Sequence, residues 1–313
     1  MESVIAIVGP TASGKTKISV ELAKLINGEI ISADSMQIYK FMDIGTAKPD
    51  KNEMSGIRHY LIDEINPDKE FSVARFRELA LQHIRHLIDI GKRVIICGGT
   101  GLYINSLIYN INFSETISDW ELRERLKKEA EKNGNRYLHD KLLEIDPEAA
   151  ARIHENDTKR IIRAIEVFEY TNKPISYHQH MSRLEPPPYK FIVFVLRWDR
   201  GKLYERINTR VDMMFERGLV DEVKKLSKQG YNKNTVAMQG LGYKEVFSYL
   251  RGEATYDEVV YTLKRNTRHY AKRQVTWFKR IEGIQWIDIN DEMNMDGILK
   301  NIQYRIASSE IIL

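Results

Sequence analysis

The sequence is poor in cysteine and has no long apolar run. Cys97 is the single cysteine among 313 residues, so the chain cannot form an internal disulfide framework or, by itself, a thiolate metal cluster. It lies in the apolar run 94–97, and we expect a packed core thiol. No apolar stretch approaches the ~18 residues that a membrane-spanning helix needs. We therefore expect a cytoplasmic protein with no membrane partner.

A strong charge of either sign is also absent. The formal net charge is +4 and the pI is near 8.8, which permits an anionic partner without requiring one. Hydrophobic residues make up 42% of the chain and charged residues 29%, a composition that excludes a disordered protein. The length of 313 residues suits one large domain or two domains of about 150 residues.

A glycine-rich motif lies between a predicted strand and a predicted helix. The apolar run 4–8 predicts a buried strand, and the apolar spacing over 18–26 predicts a helix that ends at Gly28. The motif between them fits the pattern G-x-x-x-x-G-K-[ST] and consists of Gly9, Pro10, Thr11, Ala12, Ser13, Gly14, Lys15 and Thr16.

This motif predicts a phosphate-binding loop. Backbone N–H groups at the start of a helix converge on an anion, and Lys15 adds a positive charge. We expect the Thr16 hydroxyl to bind a Mg²⁺ ion that bridges phosphate oxygens. The alternative is a glycine-rich turn that binds nothing. The motif does not define which phosphate compound is bound.

Two other strand ends are expected near this loop. The short predicted strand that starts at residue 29 ends in a carboxylate, Asp34, which would lie at the same sheet edge as the loop. Its alternative role is to cap a turn. The predicted strand 93–97 leads into the glycine-rich turn 98–101, whose Thr100 hydroxyl could bind another anion. A tight turn explains this second stretch equally well.

Alternating strands and helices over roughly the first 110 residues predict an α/β fold with a parallel sheet flanked by helices. One helix is predicted over 71–90, with Ser72 as its N-cap and Gly91 after its end. A capping box at 118–121 opens a helical region with further helices at 137–143 and 159–170, and a new strand follows at 191–196. We therefore divide the chain into a P-loop core at 1–113, a mainly helical insertion at 114–189 and a core completion with basic helices at 190–313.

The last third contains two sets of basic residues. Arg206 and Arg210 are four residues apart on a predicted helix and could together grip a pyrophosphate, or they could be solvated arginines near acidic neighbours. The stretch 264–280 has seven basic residues and no acidic one. Its cationic stripe predicts binding to a phosphate backbone, unless it pairs with the acidic insertion. The stripe consists of Arg265, Arg268, Lys272 and Lys279.

Several stretches together resemble the bacterial tRNA dimethylallyltransferase family, also called tRNA isopentenyltransferase. They are 9–16, 34–39, 42–49, 98–103 and 270–274 with 276–278. The resemblance implies transfer of a dimethylallyl group from dimethylallyl diphosphate to N6 of the adenosine next to the anticodon of tRNA. The loop would then hold an isoprenoid diphosphate in place of ATP.

The resemblance also implies roles for individual residues. Asp34 would be the general base, with Mg²⁺ at Thr16. The groups that offset the charge of departing pyrophosphate would be Lys15, Thr100, Arg206 and Arg210. With the basic stripe, the expected contacts to the tRNA anticodon stem-loop are Asp34, Ser35, Met36, Gln37, Lys159, Arg160, Ile161, Ile162, Arg163, Arg268 and Lys272. We expect the protein to be a monomer.

Other activities remain possible on the sequence alone. A P-loop kinase for a small molecule could also use Asp34 as a base, but it would have no use for a long cationic stripe. An adenylate prenyltransferase would have no use for the helical insertion. The third alternative is a nucleotide-regulated RNA-binding protein without catalysis.

Overall fold

The structure, a computed structural model of the chain, describes residues 2–111, 119–291 and 294–311. The chain divides into two compact units. The first is Met1–Asn105 together with Tyr189–Leu313, and the second is Ser106–Pro188. The second unit overlaps the segment 114–189, for which the sequence predicts a helical insertion.

The first unit is built on a parallel sheet. Its strands are β1 (Ser3–Val8), β2 (Gly28–Ser32), β3 (His59–Tyr60), β4 (Arg93–Gly98), β5 (Lys190–Arg197) and β6 (Gln285–Asp288). Their order is β3-β2-β4-β1-β5-β6, and these neighbours all pair in parallel. In the centre, Ile5 lies opposite Ile95 on one side and Ile192 on the other. The α/β prediction is confirmed, and the continuous apolar runs reflect strands that are buried on both faces.

Helices supply the remaining regular structure. In chain order they are α1 (Lys15–Ile26), α2 (Lys51–Met54), α3 (Val73–Asp89), α4 (Gly101–Ile108), α5 (Trp120–Asn133), α6 (Asn135–Ile145), α7 (Pro147–Arg152), α8 (Thr158–Thr171), α9 (Ile175–Leu184), α10 (Arg200–Glu216), α11 (Leu219–Lys228), α12 (Tyr243–Leu250), α13 (Tyr256–Phe278) and α14 (Met295–Ile311). Within the described residues, none of these helices is long and apolar enough to cross a bilayer.

Helices α1 and α14 share a hydrophobic core with the sheet. Ile18 of α1 and Ile302 of α14 lie in one cluster with Ile7 of β1. Cys97 belongs to the same cluster and is 9% exposed, which confirms the prediction of a packed thiol. Burial raises the pKa of this thiol, so it stays protonated near neutral pH.

The end of α1 differs from the prediction. The helix is capped by Asn27, which has a φ of 52° and donates its backbone N–H to the Ala23 carbonyl. Gly28 instead opens β2, where a Cβ atom would lie 3.0 Å from the Arg93 carbonyl oxygen. Asparagine tolerates the left-handed conformation that often ends a helix. The prediction that Gly28 ends the helix is therefore wrong.

The predicted boundaries of α3 are confirmed. Ser72 Oγ accepts a hydrogen bond from the backbone N–H of Arg75 at 3.1 Å and so caps the first turn. Gly91, beyond the other end, has a φ of 71°. Phe76 stacks on Tyr103 of α4 with 4.1 Å between ring centroids, so α3 supports the helix that follows β4.

The second unit contains α5 to α9. The helices predicted over 137–143 and 159–170 lie within α6 and α8, whereas α7 and α9 were not predicted. Helix α5 follows Asp119, whose side chain accepts a hydrogen bond from the backbone N–H of Leu122; Ser118 of the predicted capping box lies outside the described residues. Glu166 is buried and accepts hydrogen bonds from Arg123 and Arg163. Burial raises its pKa, but these bonds outweigh that effect and hold the pKa below its usual range.

Candidate active site

The predicted phosphate loop joins the end of β1 to the start of α1. Helix α1 begins at Lys15, directly after Gly14, which has a φ of 90°. Ala12 also lies in the left-handed region, with a φ of 62°. For a residue with a Cβ atom this conformation costs about 1–2 kcal/mol. The surrounding structure must hold such a residue in place.

Side chains from the last third of the chain hold this loop. The hydrogen bonds are Trp198 Nε1 to Ser13 O at 3.0 Å, Arg206 Nε to Ala12 O at 2.9 Å and Thr11 N to Gln274 Oε1 at 2.9 Å. Ala12 and the residue on each side of it in the chain therefore each accept or donate one hydrogen bond that holds the strained loop. None of these three contacts was predicted from the sequence.

A cavity of about 880 Å³ lies beside the loop. It brings together many of the residues predicted for the site: Thr11, Ala12, Ser13, Gly14, Lys15, Thr16, Asp34, Ser35, Met36, Gln37, Arg206 and Arg210. Apolar side chains also line it, among them Ile44, Ile207, Val211, Met214, Leu241 and Leu263. The cavity thus suits a ligand with an anionic head and an apolar tail. Gly9 and Pro10 belong to the loop but do not line the cavity.

Lys15 points back onto its own loop. Its Nζ donates to the Pro10 carbonyl oxygen at 2.8 Å. Burial lowers the pKa of Lys15 to about 8, although the Asp34 carboxylate opposes the shift. An anion bound in the cavity would stabilise the protonated form of this lysine.

The predicted arginine pair converges on the phosphate loop. Arg206 stacks over the Trp198 ring at 4.3 Å while its Nε holds Ala12 O. Arg210 donates to Thr11 Oγ1 and to Ala47 O, each at 3.5 Å. Burial lowers the pKa of Arg210, and the Asp34 carboxylate opposes this effect. Both side chains line the cavity, so the structure favours the paired arrangement over two solvated arginines.

Asp34 combines the two arrangements that the sequence left open. Its Oδ1 accepts hydrogen bonds from the backbone N–H groups of Met36 at 2.9 Å and Gln37 at 3.4 Å, which is a turn cap. The residue also lines the same cavity as Lys15. Capping occupies one carboxylate oxygen of Asp34. The role of Asp34 as a base remains a prediction.

The glycine-rich turn 98–101 is a site of close packing. Cβ atoms at Gly98, Gly99 and Gly101 would lie 2.2 Å from Ala33 O, 2.3 Å from Gln274 Nε2 and 2.3 Å from Trp277 Cδ1. Thr100 Oγ1 accepts a hydrogen bond from the Ser35 backbone N–H at 3.0 Å and does not line the cavity. The tight-turn alternative therefore fits this stretch, and Thr100 supports the turn that carries Asp34. The position of Thr100 does not favour the predicted contact with pyrophosphate.

A further loop over 43–47 lines the cavity and is held by a carboxylate that no sequence motif indicated. Glu222 of α11 accepts hydrogen bonds from Asp43 N at 3.0 Å, Ile44 N at 2.7 Å, Gly45 N at 3.1 Å and the Tyr243 hydroxyl at 2.7 Å. Gln37 Nε2 donates to the Ala47 carbonyl oxygen at 3.2 Å. The Gln37 amide is thus engaged inside the protein, next to the Asp34 turn.

The basic stripe of α13 is only partly a free surface. Arg265 and Lys272 are exposed, and Lys279 is exposed just after the last helical residue. Arg268 is half-buried and donates to Asn208 Oδ1 at 2.6 Å. Trp277 packs on the turn 98–101. Tyr270 lines the cavity, and burial raises the pKa of its hydroxyl.

The predicted tRNA contacts at 159–163 lie on α8 of the second unit. Ile161 and Ile162 are 0% and 9% exposed and belong to the core of that unit, so their side chains are not available to RNA. Burial therefore does not favour a side-chain contact between these two residues and tRNA, because the motif includes the buried face of an amphipathic helix; the tRNA contacts of this stretch stay a prediction. Lys159 and Arg160 are exposed, while Arg163 pairs with Glu166.

Comparison with known proteins identifies the family. Residues 37–281 match the family model described as IPP transferase. The tRNA dimethylallyltransferase of Acetivibrio thermocellus is 62% identical to the chain over 313 residues, which is 100% of both sequences. The chain belongs to the tRNA dimethylallyltransferase family. A family member from Thermoanaerobacter sp. is 54% identical over 301 residues, 96% of each sequence.

Solved structures of similar proteins agree with this membership. A tRNA isopentenylpyrophosphate transferase from Bacillus halodurans has a TM-score of 0.74 at 44% identity, covering 98% of this chain and 96% of that one. A eukaryotic dimethylallyltransferase acting on tRNA has a TM-score of 0.82 at 28% identity, covering 99% of this chain and 80% of that one. The phosphate loop and Asp34 precede the region matched by the family model, but the match to the Acetivibrio thermocellus relative spans both positions.

Proposed function

We propose that this member of the dimethylallyltransferase family transfers a dimethylallyl group from dimethylallyl diphosphate to N6 of the adenosine next to the anticodon of tRNA. Diphosphate is released. The observation that carries the proposal is one cavity lined by the phosphate loop, two arginines, Asp34 and a set of apolar side chains. A donor with an anionic diphosphate and a short apolar tail matches both kinds of lining.

The donor diphosphate would bind at the loop. Backbone N–H groups at the start of α1, Lys15 and the arginine pair supply the positive potential. Ser13 Oγ is buried on the cavity wall and has no hydrogen-bond partner among the described residues, so it could donate to a phosphate oxygen. The dimethylallyl tail would lie against Ile207 and Leu263.

The oxygen-bearing side chains of the cavity near Thr16 suit a Mg²⁺ ion. Mg²⁺ prefers oxygen ligands and commonly binds through one or two protein groups plus substrate phosphates. Thr16 lines the cavity, so its hydroxyl could bind such an ion. The described residues contain no cluster of three or more His, Cys, Asp or Glu side chains that would hold a metal alone. A bound Mg²⁺ would offset negative charge on the departing diphosphate.

Asp34 would act on the incoming adenine. The N6 lone pair forms a bond to C1 of the dimethylallyl group while the C1–O bond breaks and its electron pair leaves with diphosphate. The N6 proton passes to Asp34 Oδ2, because Oδ1 already accepts the N–H groups of Met36 and Gln37. Lys15 and Arg210 stabilise the charge that develops on the leaving group.

The tRNA would be held through its phosphates and one extruded base. Exposed Arg265 and Lys272 provide cationic groups for the backbone, and the target adenine must leave its stack to reach the cavity. We also propose that the protein acts as a monomer. We place the reaction in the cytoplasm.

A double-label experiment tests the proposal. The purified protein is incubated with unmodified tRNA, free adenylate and MgCl₂, together with either dimethylallyl diphosphate labelled in its dimethylallyl group or ATP labelled in its γ-phosphate. We expect label in tRNA from the first donor only. Label transferred from ATP would support the kinase alternative, and modification of free adenylate in place of tRNA would support an adenylate prenyltransferase. Binding of tRNA without transfer from either donor would contradict catalysis.

A further inference from the structure

The Gln274 amide bridges the two strand-end turns beside the cavity. Its Oε1 accepts the Thr11 backbone N–H at 2.9 Å, and its Nε2 donates to the Gly99 carbonyl oxygen at 2.9 Å. Gln274 projects from α13 and is 6% exposed. Both bonds therefore form away from bulk water, where a lost partner would leave a buried backbone group unsatisfied.

The geometry requires a side chain that ends in both a hydrogen-bond acceptor and a donor. If the amide were reversed, its NH₂ group would face the Thr11 N–H and its oxygen would face the Gly99 carbonyl. A carboxylate could accept from Thr11 but could not donate to Gly99. Gly99 itself has no room for a Cβ atom, which would lie 2.3 Å from Gln274 Nε2. The side chain is thus closely fitted between its two partners.

Each partner leads directly to a part of the proposed reaction centre. Thr11 precedes the left-handed Ala12 in the loop that would hold the donor diphosphate. Gly99 precedes Thr100, whose hydroxyl accepts the backbone N–H of Ser35, the residue after the proposed base. One side chain therefore ties the donor loop to the turn that supports Asp34.

We infer that Gln274 is a positioning residue that sets the alignment of the donor diphosphate with Asp34 through the Thr11 and Gly99 hydrogen bonds. The inference rests on the proposed function. Gln274 touches no reacting atom in this scheme. Its contribution is to hold two turns in register so that C1 of the donor, the adenine N6 and Asp34 meet.

If Gln274 only filled space between α13 and the turns, its replacement would affect catalysis differently. Ala271 and Phe278 are buried on the same helix, and Trp277 packs on Gly101, so α13 has other contacts that keep it docked. Replacement of Gln274 by an apolar side chain of similar length would then be tolerated in catalysis. The proposed positioning role depends on the two hydrogen bonds of the Gln274 amide and not on the volume of its side chain.

The first test replaces Gln274 with methionine. We expect Gln274→Met to lower kcat for tRNA modification by about 10-fold to 100-fold, since a displacement of about 1 Å at a reacting group costs that order of rate. The donor KM should rise by a smaller factor. Thr276→Ala is the matched control, because Thr276 is exposed on the same helix and its hydroxyl bonds only to the Lys272 carbonyl oxygen among the described contacts. This control should keep the wild-type kcat.

The second test uses protonation to restore the missing donor. In Gln274→Glu, the carboxylate faces the Gly99 oxygen, and both burial and this contact favour the protonated acid. The protonated acid can donate to Gly99 and accept from Thr11, as the amide does. We expect kcat of this variant, divided by the wild-type value at the same pH, to rise several-fold between pH 8 and pH 6. The same ratio for Gln274→Met should stay constant.

The outcomes separate this inference from the proposed function. An absence of tRNA modification by the wild-type protein would contradict the proposed function. A wild-type protein that is active, with Gln274→Met within threefold of its kcat, would overturn the positioning role alone. If Gln274→Met does not fold, Gln274→Glu decides within one soluble variant, and a flat kcat ratio from pH 8 to pH 6 overturns the inference.

Discussion

Asp34 is both a turn cap and the proposed base, and two substitutions separate these roles. Asp34→Asn keeps an Oδ1 acceptor for the N–H groups of Met36 and Gln37 but loses the basic oxygen. Asp34→Ala removes both functions. A positioned base contributes about 10²-fold to 10⁴-fold in rate, or about 3–5 kcal/mol of activation free energy. Loss of a cap costs about 0.5–2 kcal/mol of folding stability.

We therefore expect Asp34→Asn to lower the single-turnover rate of dimethylallyl transfer by about 10²-fold to 10⁴-fold while its free energy of unfolding stays within about 1 kcal/mol of wild type. Its affinity for tRNA should be nearly unchanged. Asp34→Ala should lose the same activity and, in addition, the stability of the cap. Rapid-quench transfer assays and urea unfolding measure the two quantities. Near-wild-type turnover by Asp34→Asn, with Asp34→Ala inactive, would show that Asp34 acts only as a cap.

Three further predictions follow from other contacts. Glu222→Gln places an NH₂ group against backbone N–H groups of the 43–47 loop, so we expect a loss of about 2 kcal/mol in unfolding free energy and slower transfer. Asp221→Asn, at an exposed neighbour, is the control. Equal urea midpoints for wild type and Glu222→Gln would contradict the role of Glu222 in holding this loop. Lys272→Ala should lower the slope of log affinity for tRNA against log salt by about one, and an unchanged slope would remove Lys272 from the interface. In the free protein Lys15 is protonated below a pKa of about 8, and a bound anion favours the protonated form. The affinity for dimethylallyl diphosphate, measured by calorimetry, should therefore be highest below pH 8 and fall above it. Constant affinity from pH 7 to pH 9.5 would refute this.

Local patterns predicted the strand–turn–helix that forms the phosphate loop and the elements beside it. Gly9–Thr16 could be predicted because a buried strand, a glycine-rich turn and an amphipathic helix follow one another within a short stretch. Asp34 could be placed beside it because the carboxyl ends of parallel strands share one edge of a sheet. The arginine pair followed from helical spacing, which is also a local property.

The supports of the site could not be predicted in this way. Gln274 meets Thr11 across 263 residues, and Glu222 meets Asp43 across 179 residues. No periodicity or capping rule relates positions so far apart, because the contact depends on how α13 and α11 pack on the sheet. The burial of Ile161 and Ile162 was also not predicted, since a motif quoted as a continuous stretch includes residues from the buried face of α8.

The most direct test is the mass of the nucleosides after reaction. Unmodified tRNA is incubated with the purified protein, MgCl₂ and dimethylallyl diphosphate, digested completely and analysed by liquid chromatography with mass spectrometry. Our account predicts that one adenosine gains a dimethylallyl group in place of one N6 hydrogen, with release of an equal amount of diphosphate. Unaltered nucleosides, or diphosphate release without a modified adenosine, would contradict it.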